Sequence, residues 1–348
     1  MNQLINTLRA QAQDDECSRH CNTYLIVCDL GRYGCAVDVL SDVLTTMRTG
    51  RPHAARTRTW APWGVRFPAT DAAGCHVVLR GSCWLIAEGR DPIPLTSGDV
   101  VFLPHPGVYV LADSPGTPAI DFDPVAEDGT AVGEIEILGA GAVTETLCAA
   151  YYFDRSRVHP LMEDLPPVVH LPAMPGHRPA LRSAVDLLGN ELAAARPGSE
   201  LIVPALIDTL LLFILREWLE SNPTTGWATS LNDPVVLRAL RAIHLRPDQH
   251  WSVDDLARES GLSRAAFAAR FRTSTTMPPL TYLTWWRMTL AARMLRTTDA
   301  TVRAISERVG YTSEFAFTKA FKREFGAAPR YYRGGGPARL PAEAGTVD

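Results

Sequence analysis

The sequence predicts an α+β chain of two domains, the first rich in β-structure and the second all-α. Three features lead there. Residues 60–153 hold short runs of strand formers broken by Gly, Pro and Asp; residues from 179 onward carry apolar side chains at helical spacing; and positive charge is confined to one C-terminal block. The chain has 348 residues, enough for two domains of ordinary size, and its 46% hydrophobic and 21% charged residues are those of a globular protein.

The β-forming runs are 76–80, 83–87, 100–103, 108–111, 135–138 and 147–153, separated by turns such as SGD at 97–99 and HPG at 105–107. Short strands at this spacing predict an antiparallel sandwich or barrel. Before them, residues 1–35 are polar and Cys-rich and are expected to form a loosely ordered arm, and 38–47 form a short helix or a lead-in to a strand. The seven cysteines (Cys17, Cys21, Cys28, Cys35, Cys75, Cys83 and Cys148) include no CxxC pair. An odd count without an export signal points to reduced thiols in the cytoplasm. They are either small buried apolar residues or, for Cys17, Cys21, Cys28 and Cys35, a redox or metal group.

Two helices follow. Residues 179–195 place Leu181, Val185, Leu188 and Leu192 on one stripe, and Pro197-Gly198 ends it. Ser199 is expected to cap a second helix running to about residue 220. That helix is apolar nearly all round from Leu206 to Leu215, so it needs cover on several sides, from the rest of the monomer or from a second copy of the chain. Its greasiest part, 201–215, holds Pro204 and Asp208 and is too short to span a bilayer. Residues 221–232 (SNPTTGWATSLN) read as an interdomain linker.

The net charge of −4 is unevenly spread. Residues 231–333 carry 17 Arg and Lys against 9 Asp and Glu, a net +8, whereas residues 1–230 carry 16 against 27, a net −11. A basic block on an acidic chain suits a domain that binds a polyanion.

The same block repeats itself. Val253, Leu256, Ala257 and Gly261 recur 49 residues on as Val302, Ile305, Ser306 and Gly310; Phe267, Phe271, Pro279 and Tyr282 recur 50 residues on as Phe317, Phe321, Pro329 and Tyr332. The extra residue falls in the turn, GLS against GYTS. Each copy predicts a short helix ended by a Gly at positive φ, then a Ser (Ser263 or Ser313) capping a second helix anchored by Phe residues at i, i+4. A two-helix unit with a Gly turn and a basic outer face is a helix-turn-helix. Between the copies, 279–296 forms a long amphipathic helix of about 27 Å, suited to holding two recognition helices near one turn of DNA apart. Further helices are expected at 234–244 and 329–332.

With these residues in view, 233–333 resemble the DNA-binding domain of the AraC/XylS family of transcription regulators. The second copy, GYTSEFAFTKAFKREFGAAPRYYR, matches the family signature almost throughout. The first departs from it: Thr276 stands where the family usually has Gly. The resemblance implies base contacts by Glu314, Phe315, Thr318 and Lys319 in the second copy and by Ala265, Ala268 and Ala269, with Arg264, in the first. The alanines can meet a thymine methyl but cannot hydrogen-bond. Ser263, Arg272, Arg287, Ser313, Lys322, Arg323 and Arg330 are candidates for phosphate contacts, which supply affinity and register. Arg270 is expected to face partly inward.

Residues 36–155, through APWGVRFP, HVVLRGSCWLI and LTSGDVVFLPHPG, resemble the cupin-like sensor domain of one branch of the same family. This implies a small β-barrel with a cavity, followed over 156–220 by a helical connector that dimerises the chain. A cupin enzyme would need metal ligands, usually an HxH pair and a later His. Those positions fall near Pro68 and Thr70 and at Tyr109, so no catalytic metal and no cofactor is expected. If the barrel takes a small molecule, its lining is expected to include Trp60, Trp63, His76, Trp84 and Tyr109; otherwise these rings simply fill it.

The whole reads as a cytoplasmic, non-enzymatic regulator that binds double-stranded DNA as a homodimer, answers to a small-molecule effector and works with RNA polymerase as an activator. Two alternatives remain: a thiol redox regulator acting through Cys17, Cys21, Cys28 and Cys35, and a cupin enzyme fused to a DNA-binding tail. No membrane association is expected, and 334–348 form a disordered tail.

Overall fold

The structure, a computed structural model, describes residues 37–105, 107–122, 132–154, 158–174, 176–194, 196–223 and 226–333. The expected arm (1–35), with Cys17, Cys21, Cys28 and Cys35, and the expected tail (334–348) lie outside the described residues. Helix α1 (Val39–Met47) begins at Asp38, whose carboxylate accepts the Leu40 N–H at 3.2 Å, and it buries Val39, Leu40, Val43, Leu44 and Met47.

Among the described residues eleven strands then build two sheets: β1 (His53–Trp60), β2 (Gly64–Phe67), β3 (Ala72–Arg80), β4 (Ser82–Ala87), β5 (Ile93–Thr96), β6 (Val100–Leu103), β7 (Tyr109–Ala112), β8 (Ile120–Asp121), β9 (Val132–Ile137), β10 (Val143–Tyr152) and β11 (Val169–Leu171). One sheet has the order β11-β6-β3-β10-β1-β9 and the other β5-β4-β7-β2-β8. Pairing is antiparallel except for β1–β9 and β2–β8, which run parallel.

The β pattern starts earlier than the sequence suggested. Strand β1 (HAARTRTW) has the alternation of a half-buried strand, but its outward residues are arginines. Arg56 reaches Glu145 on the neighbouring β10 at 2.7 Å, and Arg58 reaches Glu136 on β9 at 2.9 Å. Arg56 first, and Arg58 with it, holds the Glu145 carboxyl below the usual carboxylate range. The inward Ala55, Thr57 and Thr59 are small and buried, as is Ala54 on the other face, so hydropathy alone does not mark the strand.

After the short α2 (Pro160–Glu163), helices α3 (Pro179–Ala194) and α4 (Ser199–Ser221) pack on each other and both on the first sheet. Gly198, at φ 95°, takes the N-cap position expected for Ser199; Ser199 is the first helical residue and its hydroxyl donates to Glu191 at 2.6 Å. Pro204 cannot donate to the Glu200 carbonyl one turn back, and Arg51 donates to that carbonyl instead. The monomer covers most of α4: Val203, Ile207, Leu210, Leu211, Ile214 and Leu215 are buried, and the Tyr151 hydroxyl donates to the Ile207 carbonyl at 2.5 Å. Leu187, Leu201 and Ile202 stay exposed.

The expected linker is in part a helix, α5 (Gly226–Asn232), with Trp227, Ala228 and Ser230 buried. Asp164 accepts the Trp227 N–H at 2.7 Å and Ser230 donates to the Ser274 carbonyl at 2.7 Å. The Pro and Gly that suggest a loop lie at its start, while the apolar face of the segment is carried by one large ring.

Six helices complete the chain: α6 (Pro234–Leu245), α7 (Val253–Ser260), α8 (Arg264–Thr275), α9 (Pro279–Thr297), α10 (Val302–Arg308), α11 (Glu314–Phe325), with a last turn, α12 (Pro329–Arg333). Three apolar cores result. One lies between the two sheets around Trp63, Leu85, Leu95 and Val101. A second runs without a break from the outer face of the first sheet through α1, α3 and α4 into α6–α8 and the first half of α9. The third belongs to the second half of α9 with α10–α12. No helix among the described residues is long and apolar enough to cross a membrane.

Two histidines sit in the second core. His244 on α6 meets the Tyr282 hydroxyl at 2.8 Å and Asp42 of α1 at 3.4 Å, with Trp286 stacked at 3.8 Å between ring centroids. His159 accepts the Leu161 N–H at 3.0 Å and lies against Trp227 and Trp285. Burial lowers both pKa values, that of His159 well below the ordinary histidine value, while Asp42 partly offsets the effect at His244. Both rings are therefore neutral when folded and take up protons near pH 6.5 when unfolded. Stability from this source is present above about pH 6.5 and is lost as pH falls. Urea unfolding between pH 7.5 and 5 should show stability dropping by up to about 1.4 kcal/mol per pH unit for each ring. A flat profile would contradict their neutral burial.

Candidate functional site

Both repeat copies fold into the same object. In the first, Ser252 and Asp255 form a reciprocal cap on α7, Gly261 ends it at φ 75°, and the Ser263 hydroxyl caps α8 by accepting the Ala266 N–H at 3.4 Å. In the second, Thr301 caps α10, Gly310 follows at φ 80°, and Ser313 caps α11 through the Ala316 N–H at 3.3 Å. Gly310 is required twice over, because a Cβ there would lie 2.7 Å from the Asp248 carbonyl oxygen. Phe267 and Phe271, and Phe317, Phe321 and Phe325, are buried and orient α8 and α11. The copies part at their C-terminal caps. Gly326 takes φ 70°, whereas Thr276 carries a side chain at φ 64°.

The outward faces of α8 and α11 differ in chemistry. Arg264, Ala265 and Ala269 are exposed and Ala268 is half-buried. On α11, Glu314, Phe315 and Lys319 are exposed and Thr318 is half-buried. Phe315 is 80% exposed, an aromatic ring that folding leaves uncovered. Among the described residues Arg272, Lys319, Lys322 and Arg330 have no ion-pair partner; Arg264 meets Asp254 at 2.8 Å and Arg323 meets Glu324 at 2.8 Å. Ser263 and Ser313 use their hydroxyl oxygens as caps and retain a proton to donate. Arg270 turns back to Asp233 at 2.6 Å.

Arg287 has a structural role that its place among the phosphate candidates does not suggest. Its guanidinium donates to the Pro247 carbonyl at 2.6 Å and to the Gln249 carbonyl at 2.8 Å. Burial lowers its pKa, opposed by Tyr311 and Asp248. It ties α9 to the loop between α6 and α7 through its Nε and one Nη.

The second candidate site is a cavity of about 690 Å³ walled by strands of both sheets. Trp63, His76 and Tyr109 line it. Trp60 and Trp84 do not: strand alternation turns Trp60 outward after the inward Thr59, and Trp84 outward between the inward Cys83 and Leu85. Phe67 stacks on Tyr109 with ring centroids 4.9 Å apart and lies 5.1 Å from Phe122. His76 sits directly opposite Cys148 in the β3–β10 register, its Nδ1 3.0 Å from Sγ and its Nε2 2.7 Å from the Tyr109 hydroxyl. Burial drives the His76 pKa down to about 3 and pushes that of Tyr109 up. Sequence reasoning found His76 and Tyr109 but not Cys148, because only the strand register joins residues 72 positions apart. His105 donates to the Leu165 carbonyl at 3.0 Å. Among the described residues no three His, Cys, Asp or Glu side chains gather as a metal-binding group.

Comparison with known proteins agrees with this geometry. Residues 38–220 match a cupin family model and residues 256–335 a helix-turn-helix domain model. An AraC-like transcription regulator of Streptomyces lividans is 38% identical over 85% of this chain and 98% of its own length. A second, of Streptomyces antibioticus, is 36% identical over 85% of this chain and 98% of its own. The HTH-type transcriptional regulator AlkR of Acinetobacter baylyi is 29% identical over 85% of this chain and 99% of its own.

Two substitutions test the local readings. Arg287→Ala should cost about 2 kcal/mol in urea unfolding, for two lost charge-assisted hydrogen bonds, with the salt dependence of DNA binding unchanged; a shallower salt dependence would return Arg287 to the phosphates. Thr276→Gly should stabilise the chain by about 1 kcal/mol, by removing a side chain from left-handed backbone. Loss of stability would mean that the Thr276 hydroxyl contact to the Thr275 carbonyl outweighs the backbone strain.

Proposed function

Because the chain belongs to the AraC-like family of DNA-binding transcription regulators, with a cupin-like domain preceding its helix-turn-helix domain, we propose that it is an effector-responsive activator whose α8 and α11 enter adjacent major-groove segments. The observation that carries this reading is the pair of helices capped alike by Ser263 and Ser313, each buried on its Phe face and bare on the other.

In this reading α11 supplies most of the sequence discrimination. Lys319, Thr318 and Glu314 can hydrogen-bond base edges, and Phe315 can meet a thymine methyl. On α8, Ala265, Ala268 and Ala269 allow close approach with apolar contact only, and Arg264 adds the one long donor. Arg272, Lys322, Arg323 and Arg330, with the hydroxyls of Ser263 and Ser313, hold phosphates and set the register. The cavity between the sheets takes a small, largely apolar effector. The exposed Leu187, Leu201 and Ile202 of α3 and α4 support a homodimer interface on that helix pair. RNA polymerase is the partner of the DNA-bound form.

Footprinting of the full chain on its own upstream DNA should protect two neighbouring major-groove segments. Affinity should fall steeply with salt, with a log–log slope of about −0.9 for each phosphate neutralised. Lys319→Ala should cost about 1–3 kcal/mol and relax preference at one or two base pairs. A flat salt response would remove the electrostatic basis, and a loss equal across all sequences would move Lys319 to the phosphate group.

A further inference from the structure

The cavity wall combines three features that filling a barrel does not require. Cys148 faces the cavity and forms no disulfide, with Nδ1 of His76 3.0 Å from its sulfur. His76 is backed by the Tyr109 hydroxyl at 2.7 Å. Trp63, only 4% exposed and part of the same wall, carries an indole N–H with no hydrogen-bond partner. The remaining lining is dominated by Val65, Phe67, Leu103, Leu111 and Phe122. The site thus offers a nucleophile beside a base, an unanswered donor and an apolar surround.

We propose that the cavity is a covalent sensing site for apolar α,β-unsaturated carbonyl compounds, with Cys148 as the nucleophile, His76 as its base and Trp63 as the donor to the carbonyl oxygen. This rests on the effector reading above and names the chemical class of the effector. In the step, the Cys148 sulfur bonds to the β-carbon while the C=C π pair moves toward the carbonyl oxygen. The thiol proton passes to His76 Nδ1 and from there to the α-carbon. A thioether and a saturated carbonyl result, and no oxidant or reductant is consumed. His76 is placed for the task by geometry: its Nδ1 faces the sulfur at 3.0 Å while its Nε2 meets the Tyr109 hydroxyl at 2.7 Å, so one nitrogen can accept the proton while the other is held by a hydrogen bond. The other two described thiols are poor competitors: Cys75 and Cys83 are buried, and burial pushes their pKa values up, that of Cys83 to about 12.

The test uses the full chain with Cys17, Cys21, Cys28 and Cys35 replaced by Ser, treated with chalcone or with dihydrochalcone, which lacks the reactive double bond. Peptide mapping should find the chalcone adduct at Cys148 ahead of Cys75 and Cys83, forming faster than at Cys148 in the urea-unfolded chain. His76→Asn should slow it about a hundredfold, the lower end of what a positioned base supplies. Tyr109→Phe should slow it less, and dihydrochalcone binding reports whether either variant keeps its fold. Modification should change operator affinity at least about tenfold in the parent (1.4 kcal/mol of coupling) and not in Cys148→Ala. If dihydrochalcone binds but chalcone leaves Cys148 unmodified, or modifies it without changing DNA affinity, the covalent proposal is overturned and the effector reading stands. If neither compound binds, the effector reading falls as well. Oxidation of Cys148 by hydrogen peroxide with no enone adduct would also overturn the proposal, in favour of an oxidant sensor.

Discussion

The division of one helix between two cores is the constraint on which the DNA-binding half depends. The first half of α9 buries Tyr282, Trp285 and Trp286 in the core shared with α6, α7 and α8; its second half buries Met288, Ala291, Ala292 and Leu295 against α10 and α11. Nineteen residues at 1.5 Å each give a rod of about 28 Å with no Pro after its first turn and no Gly within it. A stiff rod packed differently at its two ends fixes how the two helix-turn-helix units face one another. Arg287, near its middle, fastens it to the loop before the first unit, and Gly310 of the second unit approaches that same side chain.

The sensor half solves a different problem. Its two sheets do not close on each other everywhere; residues of β1, β2, β3, β7 and β10, among them Ala55, Phe67, Gly74, Tyr109 and Cys148, line a space that remains between them. Strand β10 pairs with both β1 and β3, and so places Thr146, Cys148 and Ala150 in one wall. Two residues beyond its end, Asp154 accepts from Arg296 of α9 at 2.5 Å and from the Tyr332 hydroxyl of α12 at 3.1 Å. One stretch of chain thus runs from the cavity wall to the second helix-turn-helix unit, without an intervening loop.

The helical domain was far more legible in the sequence than the sensor. Its cues are local: Phe at i, i+4, Ser before the helix, Gly after it, and a copy some fifty residues on for comparison. Local cues survive without knowledge of the rest of the fold. The sensor depends on register. Strand β1 was missed because its outward arginines find Glu145 and Glu136 only in the folded sheet. The pairing of His76 with Cys148 is invisible until β3 lies beside β10. Residues 221–232 looked like a linker because composition outvoted a single ring, Trp227, whose burial needs α2 and α9 in place. The backbone contacts of Arg287 are equally hidden, because the carbonyls it meets are 40 and 38 residues away.

The unequal sharing of apolar cores has a consequence for any excised fragment. The first helix-turn-helix unit is continuous with the sensor's core, through His159 against Trp285 and α1 against α6 and α9. The second unit has a core of its own and touches the sensor through the polar contacts of Asp154. A piece of the protein beginning at residue 233 would carry the second unit away nearly intact, yet strip the first of a whole flank and leave tryptophan bare to water. The element most exposed to damage by truncation is therefore the one nearest the cut, and limited proteolysis would strike the two halves of the DNA-binding domain unequally.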